Sequence, residues 1–359
     1  MELGVLRIAN VRNVAAAEIV LCSGVNEFVG PNGAGKTSLL EATYMLSHGR
    51  SFRSVKRESL IRLGSGSLDV FTEVRRSGRV RRLGLSRTKS DWAARMDGRE
   101  VLAIAELLRE VAVVCFEPGS HALISGGAEE RRHFVDWALF HVEHGYVDVA
   151  RNYRRALRQR NALLRAGRGD AELDIWDAEL VRNAVNLDKW RSNYLDKLSQ
   201  LVNQLSVNFL PELGASSLSY VRGWGVGLEL GEALRERRQR DRERGHTSAG
   251  PHRADWRLSF ENAPEREHLS RGQEKLSAMI CLLAQATLYE QQLGEWPILC
   301  LDDLASELDT DHQQRVLQWL EEVDAQVLVT GTSALPKPQL LRRQRAMFHV
   351  EQGSVVTLL

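Results

Sequence analysis

The chain has 359 residues, is 43% hydrophobic, and carries 48 basic against 47 acidic side chains. That length suits two domains and that apolar share a sizeable core, while the balanced charge excludes a chain that is a polycation throughout, so any nucleic-acid surface has to be local. No apolar run approaches the roughly 18 residues of a membrane span, and the start "MELGVLRIANVRNV" has no secretory pattern.

Residues 3–29 alternate as strands and end in "VNEFVG". A helix follows from Lys36, with Leu39, Leu40, Thr43 and Leu46 inward and Gly49 as its stop. Residues 68–89 read as arginine-rich hairpins and "VAVVCF" at 111–116 as a buried strand. From about 119 to 210 the pattern is almost wholly helical, with Leu173, Leu180, Leu187, Tyr194 and Leu201 every seventh residue. Asn183, Lys197 and Gln204 spoil the complementary seam, which argues against a long coiled coil. The segment "RERRQRDRERGHTSAG" at 235–250 reads as a polar, mobile connection. Strand "WRLSF" at 256–260, a helix after Arg271, strand "PILCLDD", another helix and strand "QVLVTGT" complete the chain. The helical block therefore reads as an insertion into an α/β domain. Cys22, Cys115, Cys281 and Cys300 form no Cys-x-x-Cys pair and lie in apolar runs, as buried free thiols of a reduced, cytoplasmic protein would.

Three stretches carry chemistry. The first, "GPNGAGKTS", comprises Gly30, Pro31, Asn32, Gly33, Ala34, Gly35, Lys36, Thr37 and Ser38. It fits G-x-x-x-x-G-K-[ST] between a strand and a helix, where backbone N–H groups cradle phosphates, Lys36 reaches the β- and γ-phosphates of ATP, and Thr37 offers a hydroxyl to Mg2+. In the second, "PILCLDDLASELD", an apolar strand ends in Asp302, placed to hold Mg2+, and Asp303, placed to orient or deprotonate the attacking water. The third, "LSRGQEK", puts Ser270 at a helix N-cap, with Gly272 permitting close approach and Leu276, Met279, Ile280 and Leu283 forming a buried face.

Taken with the other two, "LSRGQEK" resembles the signature of ABC-type ATPases, which completes a nucleotide site on another subunit. Ser270, Gly272 and Gln273 would then act in trans, and a twofold pair of chains would bury two ATP molecules. The blocks "FVGPNGAGKTSLLEA", "GRSFR", "RRHFVDW", "RQRNALLR", "GPHRAD", "LSRGQEK" and "LDDLASELD", in that order, resemble the RecF recombination-mediator family. The resemblance implies an α/β ABC/SMC-type P-loop ATPase head with an inserted, mainly helical lid. Its boundaries would be 1–118 for the first part of the head, 119–245 for the lid and 246–359 for the returning head. It also implies Ser306 and Asp309 as the D-loop, ATP-dependent dimerisation on gapped DNA, slow hydrolysis, nucleoid association, and RecR and RecO as partners.

The chain departs from the wider superfamily. No Gln precedes Gln159, so Glu117 in "CFEP" stands near the expected position of a metal- and water-contacting Gln. Thr330 and Thr332 occur where a switch histidine is usual, and Asp303 is one methylene shorter than the commoner Glu. A loss of about 2.7–4 kcal/mol of transition-state stabilisation slows a reaction roughly 100- to 1000-fold, which implies a timed clamp more than a motor.

For DNA, residues 151–168 hold seven arginines and no acid, and Arg151, Arg154, Arg155, Arg158 and Arg165 share one helix face. A second run, Arg75 to Lys89, holds seven basic residues and no acid. No aromatic ladder accompanies them, so contact with duplex backbone fits better than base stacking. Two alternatives remain at this level: the nucleotide subunit of another ABC-type system, and a scaffold that uses ATP only as a dimerisation ligand.

Overall fold

The computed structural model describes residues 1–53, 57–335 and 344–358. The chain forms two compact units, Met1–Ser120 with Lys275–Leu359, and His121–Glu274. In chain order the first unit holds β1 (Glu2–Val11), β2 (Val14–Val20), β3 (Val25–Val29), α1 (Lys36–His48), β4 (Ser67–Arg76), β5 (Arg79–Thr88), β6 (Trp92–Met96), β7 (Arg99–Glu100), α2 (Ile104–Leu108) and β8 (Val113–Phe116). The second holds α3 (Ala122–Ser125), α4 (Ala128–Val142), α5 (Tyr146–Arg165), α6 (Asp170–Phe209), β9 (Ser216–Val221), α7 (Leu230–Glu236), α8 (Arg238–Arg244) and β10 (Asp255–Phe260). The chain continues with α9 (Arg271–Leu293), β11 (Ile298–Leu301), α10 (Leu304–Glu307), α11 (Thr310–Glu322), β12 (Val327–Gly331), β13 (Arg345–Glu351) and β14 (Ser354–Thr357).

The first unit is built on two six-stranded sheets. One has the order β14-β13-β3-β12-β11-β8 and is parallel except for the antiparallel edge strand β14. All residues of β8, β11 and β12 are buried, as expected where both faces of a parallel sheet are covered. The other sheet, β2-β1-β4-β5-β6-β7, is antiparallel, and Leu68, Val70, Thr72 and Val74 of β4 alternate inward. Helix α1 is buried over nearly its whole circumference, and Leu39, Leu40 and Leu46 join one apolar core with Leu6, Ile8, Leu83, Phe28 and Phe348. Gly49 closes α1 at φ 66°, in the left-handed conformation glycine adopts freely. The hairpin β13–β14 was not assigned from the sequence; its turn uses Gln352 at φ 48° and Gly353 at φ 80°.

The helical unit centres on α6, whose 40 residues span roughly 60 Å. Leu173, Leu180, Leu187 and Tyr194 are buried along it, and Asn183 satisfies its amide on the carbonyl of Glu179. Residues 246–274, read from the sequence as the start of the returning head, cluster instead with this unit, because β10 pairs antiparallel with β9 along its whole length. The segment 235–250 is likewise not a loose connection. It folds as the end of α7 and all of α8, with Arg238 bonded to Asp174 and Asp177 and Arg242 to Asp170, so the basic side chains of one helix meet acids spaced along α6.

A buried polar network joins the "RQRNALLR" and "GPHRAD" stretches. Arg160, fully buried, donates to Asp177 at 2.5 Å, to Asp241 at 2.8 Å and to the Thr247 hydroxyl at 3.0 Å. That hydroxyl donates in turn to Asn161 Oδ1 at 2.7 Å. Arg160 is therefore a structural hub and no part of a phosphate-binding face. His252 Nε2 lies 3.0 Å from the Thr247 carbonyl and Nδ1 lies 2.7 Å from Tyr153 Oη. A carbonyl only accepts, so the ring proton sits on Nε2 and Tyr153 donates to Nδ1. Nearby, Arg191 grips Asp136 with two bonds and reaches the Pro251 carbonyl at 2.6 Å, and Arg131 grips Asp255.

Burial pulls His252 from the ordinary 6.5 down to about 4, the Thr247 carbonyl opposing the shift. The unfolded chain therefore takes up this proton before the folded one, and the contribution to stability, full above pH 6.5, is lost as pH falls through about 4. Between pH 7 and 4.5 the loss should be about 2–3 kcal/mol. Urea unfolding followed by circular dichroism across this range, with His252→Asn alongside, tests it: the variant should lose less, and equal losses would place the acid sensitivity elsewhere.

Candidate nucleotide site

The glycine-rich turn from β3 into α1 is shaped by three glycines with different tasks. At Gly30 a Cβ would fall 2.0 Å from the Val350 carbonyl oxygen, so only glycine lets β13 pass. Gly33 and Gly35 have φ of 79° and 114°, which other residues adopt only at a cost. Ala34 N–H donates to the Pro31 carbonyl and Ser38 N–H to that of Gly35. Lys36 is buried, and its ammonium donates to the carbonyls of Gly30 at 2.7 Å and Pro31 at 2.9 Å. Burial lowers its pKa, opposed by the carboxylates of Asp303 and Asp302.

The acidic pair sits at the end of β11. Since β11 is flanked by β8 and β12, and β12 by β3, the parallel register brings the carboxyl ends of all four strands into one row. Asp302 Oδ1 accepts hydrogen bonds from the Thr37 hydroxyl at 3.0 Å and the Thr330 hydroxyl at 2.7 Å. Burial raises the Asp302 pKa, while the hydroxyls of Thr330 and Thr37 pull it back. Asp303 adopts φ 52°, ψ 44°, its N–H donates to Thr330 Oγ1 at 2.9 Å, and its Oδ1 is buried with no hydrogen-bond partner among the described residues. An acceptor left open beside Lys36 and Asp302 is suited to water or a proton.

Glu117 follows β8 directly and lies next to Asp302, whose N–H donates to Phe116, but its own carboxylate turns back to accept from Gly119 N–H at 2.6 Å. Ser306 is exposed one turn beyond Asp303. Asp309 caps α11, accepting from His312 N–H at 3.0 Å and facing the His312 ring, contacts that hold its carboxyl below the usual range. Ser270 and Gln273 belong to the helical unit and form a reciprocal cap: Gln273 N–H donates to Ser270 Oγ at 3.3 Å, and Ser270 N–H to Gln273 Oε1 at 3.0 Å. Ser270 and Gly272 are exposed, and a Cβ on Gly272 would meet only Ser270 Oγ at 3.9 Å. Among the described residues nothing requires that glycine.

Arg151, Arg154, Arg155, Arg158 and Arg165 are all exposed on α5. Arg151 pairs with Asp148 at 3.2 Å, an acid one turn before the stretch read as purely basic, whereas Arg155, Arg158 and Arg165 have no acidic partner among the described residues. The four cysteines form no disulfide among the described residues; Cys22 is partly exposed and the others are buried. No described helix is long and apolar enough to cross a membrane.

Asn13, in the turn between β1 and β2, went unnoticed in the sequence because nothing marks one exposed Asn in a turn. It donates to the Gly33 carbonyl at 2.8 Å and accepts from the Ser38 hydroxyl at 3.1 Å, bracing both ends of the phosphate loop. With each of the two bonds contributing about 1 kcal/mol, Asn13→Ala should weaken nucleotide binding by up to about thirtyfold in a fluorescence titration, with little change in melting temperature. Unchanged affinity would show that the loop holds its shape without this brace.

The chain matches the family model for the RecF/RecN/SMC N terminal domain over residues 2–354. It is 45% identical over 364 residues to the DNA replication and repair protein RecF of Stenotrophomonas maltophilia (strain R551-3), covering 100% of each. The solved structure of the recombination mediator protein RecF with ATP in the RecFOR pathway aligns with a TM-score of 0.90 at 27% identity, covering 99% of this chain and 97% of that one. An Smc head bound to the C-winged helix domain of ScpA shares the fold, with a TM-score of 0.60 at 14% identity. An α/β head of the ABC/SMC ATPase type, matched along nearly its whole length and with full-length relatives at this identity, establishes that the chain belongs to the RecF family.

Proposed function

We propose that the protein is an ATP-dependent mediator of recombinational DNA repair and replication restart, which pairs with a second copy on ATP at gapped DNA or duplex–single-strand junctions and helps load recombinase. The observation that carries this reading is the meeting of Thr37 and Asp302, 265 positions apart in the chain, at 3.0 Å beside Lys36 and Asp303. The relatives' names supply the repair context, and the RecFOR pathway in the structural relative supports RecR and RecO as partners, acting in the cytoplasm on nucleoid DNA.

Two hard oxygen donors, a hydroxyl and a carboxylate, fit Mg2+, and Thr37 and Asp302 would hold it. Bound with ATP, the metal neutralises phosphate charge during transfer. The chain's own groups do the rest. Lys36 exchanges the carbonyls of Gly30 and Pro31 for phosphate oxygens, and the N–H groups of Gly33, Gly35, Lys36 and Thr37 line the cradle. Asp303 orients the attacking water and receives its proton. Glu117 is tied to its own loop and Asp303 is a short acid, which supports slow turnover. The second half of each site comes from the partner's Ser270, Gly272 and Gln273, with Ser306 and Asp309 near the same junction. The exposure of Ser270 and the open space at Gly272 support that arrangement.

Ser270→Arg should leave nucleotide binding intact and abolish ATP-driven pairing, because the guanidinium fills the volume needed by the partner's γ-phosphate. Asp303→Asn should do the reverse, retaining the ATP-bound pair while hydrolysis falls about 100-fold or more. Light scattering with ATP, nucleotide titration and steady-state turnover read both. Pairing of Ser270→Arg at wild-type strength would reduce "LSRGQEK" to a capped helix.

On the DNA side, reversing Arg151, Arg154 and Arg158 together to Glu should weaken binding to all sequences alike and flatten the salt dependence by roughly one unit of slope per lost phosphate contact. An unchanged slope in a folded variant would place the DNA elsewhere, with the Arg75 to Lys89 hairpin as the other basic surface.

A further inference from the structure

We propose that Thr330 is a positioning residue for the acidic pair, in which one hydroxyl sets the rotamer of the Asp302 carboxylate and anchors the backbone of Asp303. The inference rests on the reading of Asp302 as the metal-holding group and Asp303 as the water-orienting group.

The hydrogen-bond roles are forced by chemistry. An amide N–H only donates and a carboxylate only accepts, so the Thr330 hydroxyl gives its proton to Asp302 Oδ1 at 2.7 Å and receives the Asp303 N–H at 2.9 Å. Thr330 and Asp302 are only 2% and 3% exposed, so water does not compete for either bond. The β-branched side chain has little rotamer freedom on a strand. Its strand, β12, lies between the strand that leads into the phosphate loop and the strand that ends in the acids. Thr330 stands opposite Phe28 of β3, two residues before Gly30, and Gly30 N–H donates to Gly331. The hydroxyl is thereby fixed with respect to both halves of the site.

Thr37 binds the same oxygen at 3.0 Å but begins the helix of the phosphate loop and has its own part in holding the metal. Thr330 is deeper, has a shorter bond, and has no such second task. Its one hydroxyl is hydrogen-bonded to both acids. Asp303 holds a left-handed conformation, and the hydrogen bond from its N–H opposes relaxation of that turn. Were Thr330 needed only to fill space, valine, with the same shape and no hydroxyl, would serve; instead it would leave the partly buried Asp303 N–H without this acceptor and remove one of two donors from a buried carboxylate.

The test uses the full-length protein as wild type, Thr330→Val, Thr330→Ser and Asp302→Asn. A fluorescent ATP analogue is titrated in Mg2+ and again in EDTA, with turnover and melting temperature measured in parallel. In EDTA, Thr330→Val should bind the analogue within about twofold of wild type, whereas in Mg2+ it should bind about tenfold more weakly and turn over at least about tenfold more slowly. Thr330→Ser, which keeps the hydroxyl, should recover both. Wild-type affinity and turnover of Thr330→Val in Mg2+ would overturn the inference, as would a Thr330→Ser as defective as Thr330→Val, which would mean packing. Asp302→Asn separates the two levels. If it keeps the Mg2+ enhancement, the metal-site reading fails and this inference with it; if it loses the enhancement while Thr330→Val keeps it, only the role of Thr330 fails. Should Thr330→Val not fold, Thr330→Cys, of similar volume and with a weak donor, makes the same comparison with the same criteria.

Discussion

A single oxygen, Oδ1 of Asp302, accepts hydroxyl protons from the start of α1 and from the middle of the parallel sheet. A carboxylate buried to 3% exposure is expensive unless it is bonded, so its burial and the placement of those two threonines are one constraint. The strand order β3-β12-β11 satisfies it, because the phosphate-loop strand and the acid-bearing strand are held one strand apart. From this follow the tight crossing at Gly30, the packing of α1 between the sheets, and the reach of Lys36 toward both acids.

The helical unit obeys a different logic. Its distinctive sequence blocks supply partners for buried charge: Arg160 between Asp177 and Asp241, Arg191 against Asp136 and the Pro251 carbonyl, and Arg131 against Asp255. Removing one member of such a set leaves an uncompensated charge, which costs about 3–5 kcal/mol. The conspicuous arginines of this unit therefore divide into two populations. Those inside set the architecture, and those outside on α5 face solvent.

Much of this was legible in the sequence. The phosphate loop, helix α1 with its Gly49 stop, the acid-bearing strand and the Ser270 cap all rest on local rules of spacing and conformation, and local rules are what a sequence displays. What escaped it depended on distant pairing. The segment 235–250 reads as a polar, mobile connection, whereas Asp170, Asp174 and Asp177 of α6 hold it as helix. The place of 246–274 was decided by β9, some 35 residues upstream of β10. Helical periodicity set Arg160 off the face that carries Arg158, but the acids that enclose it, Asp177 and Asp241, lie in other elements. Asn13 carried no signal, since its importance lies wholly in the carbonyl and hydroxyl that another loop presents to it.

The backbone at Asp303 gives the acidic pair a further meaning. At φ 52°, ψ 44°, the residue sits where Asp and Asn are far commoner than longer side chains, since a short polar group can bond locally and offset the steric penalty. The chain's aspartate is thus a choice made by the Ramachandran map as much as by chemistry. Exchanging it for glutamate would lengthen the side chain but install one less at ease in this turn. Length of reach and ease of the turn therefore oppose each other at this one residue, and the short acid favours the turn.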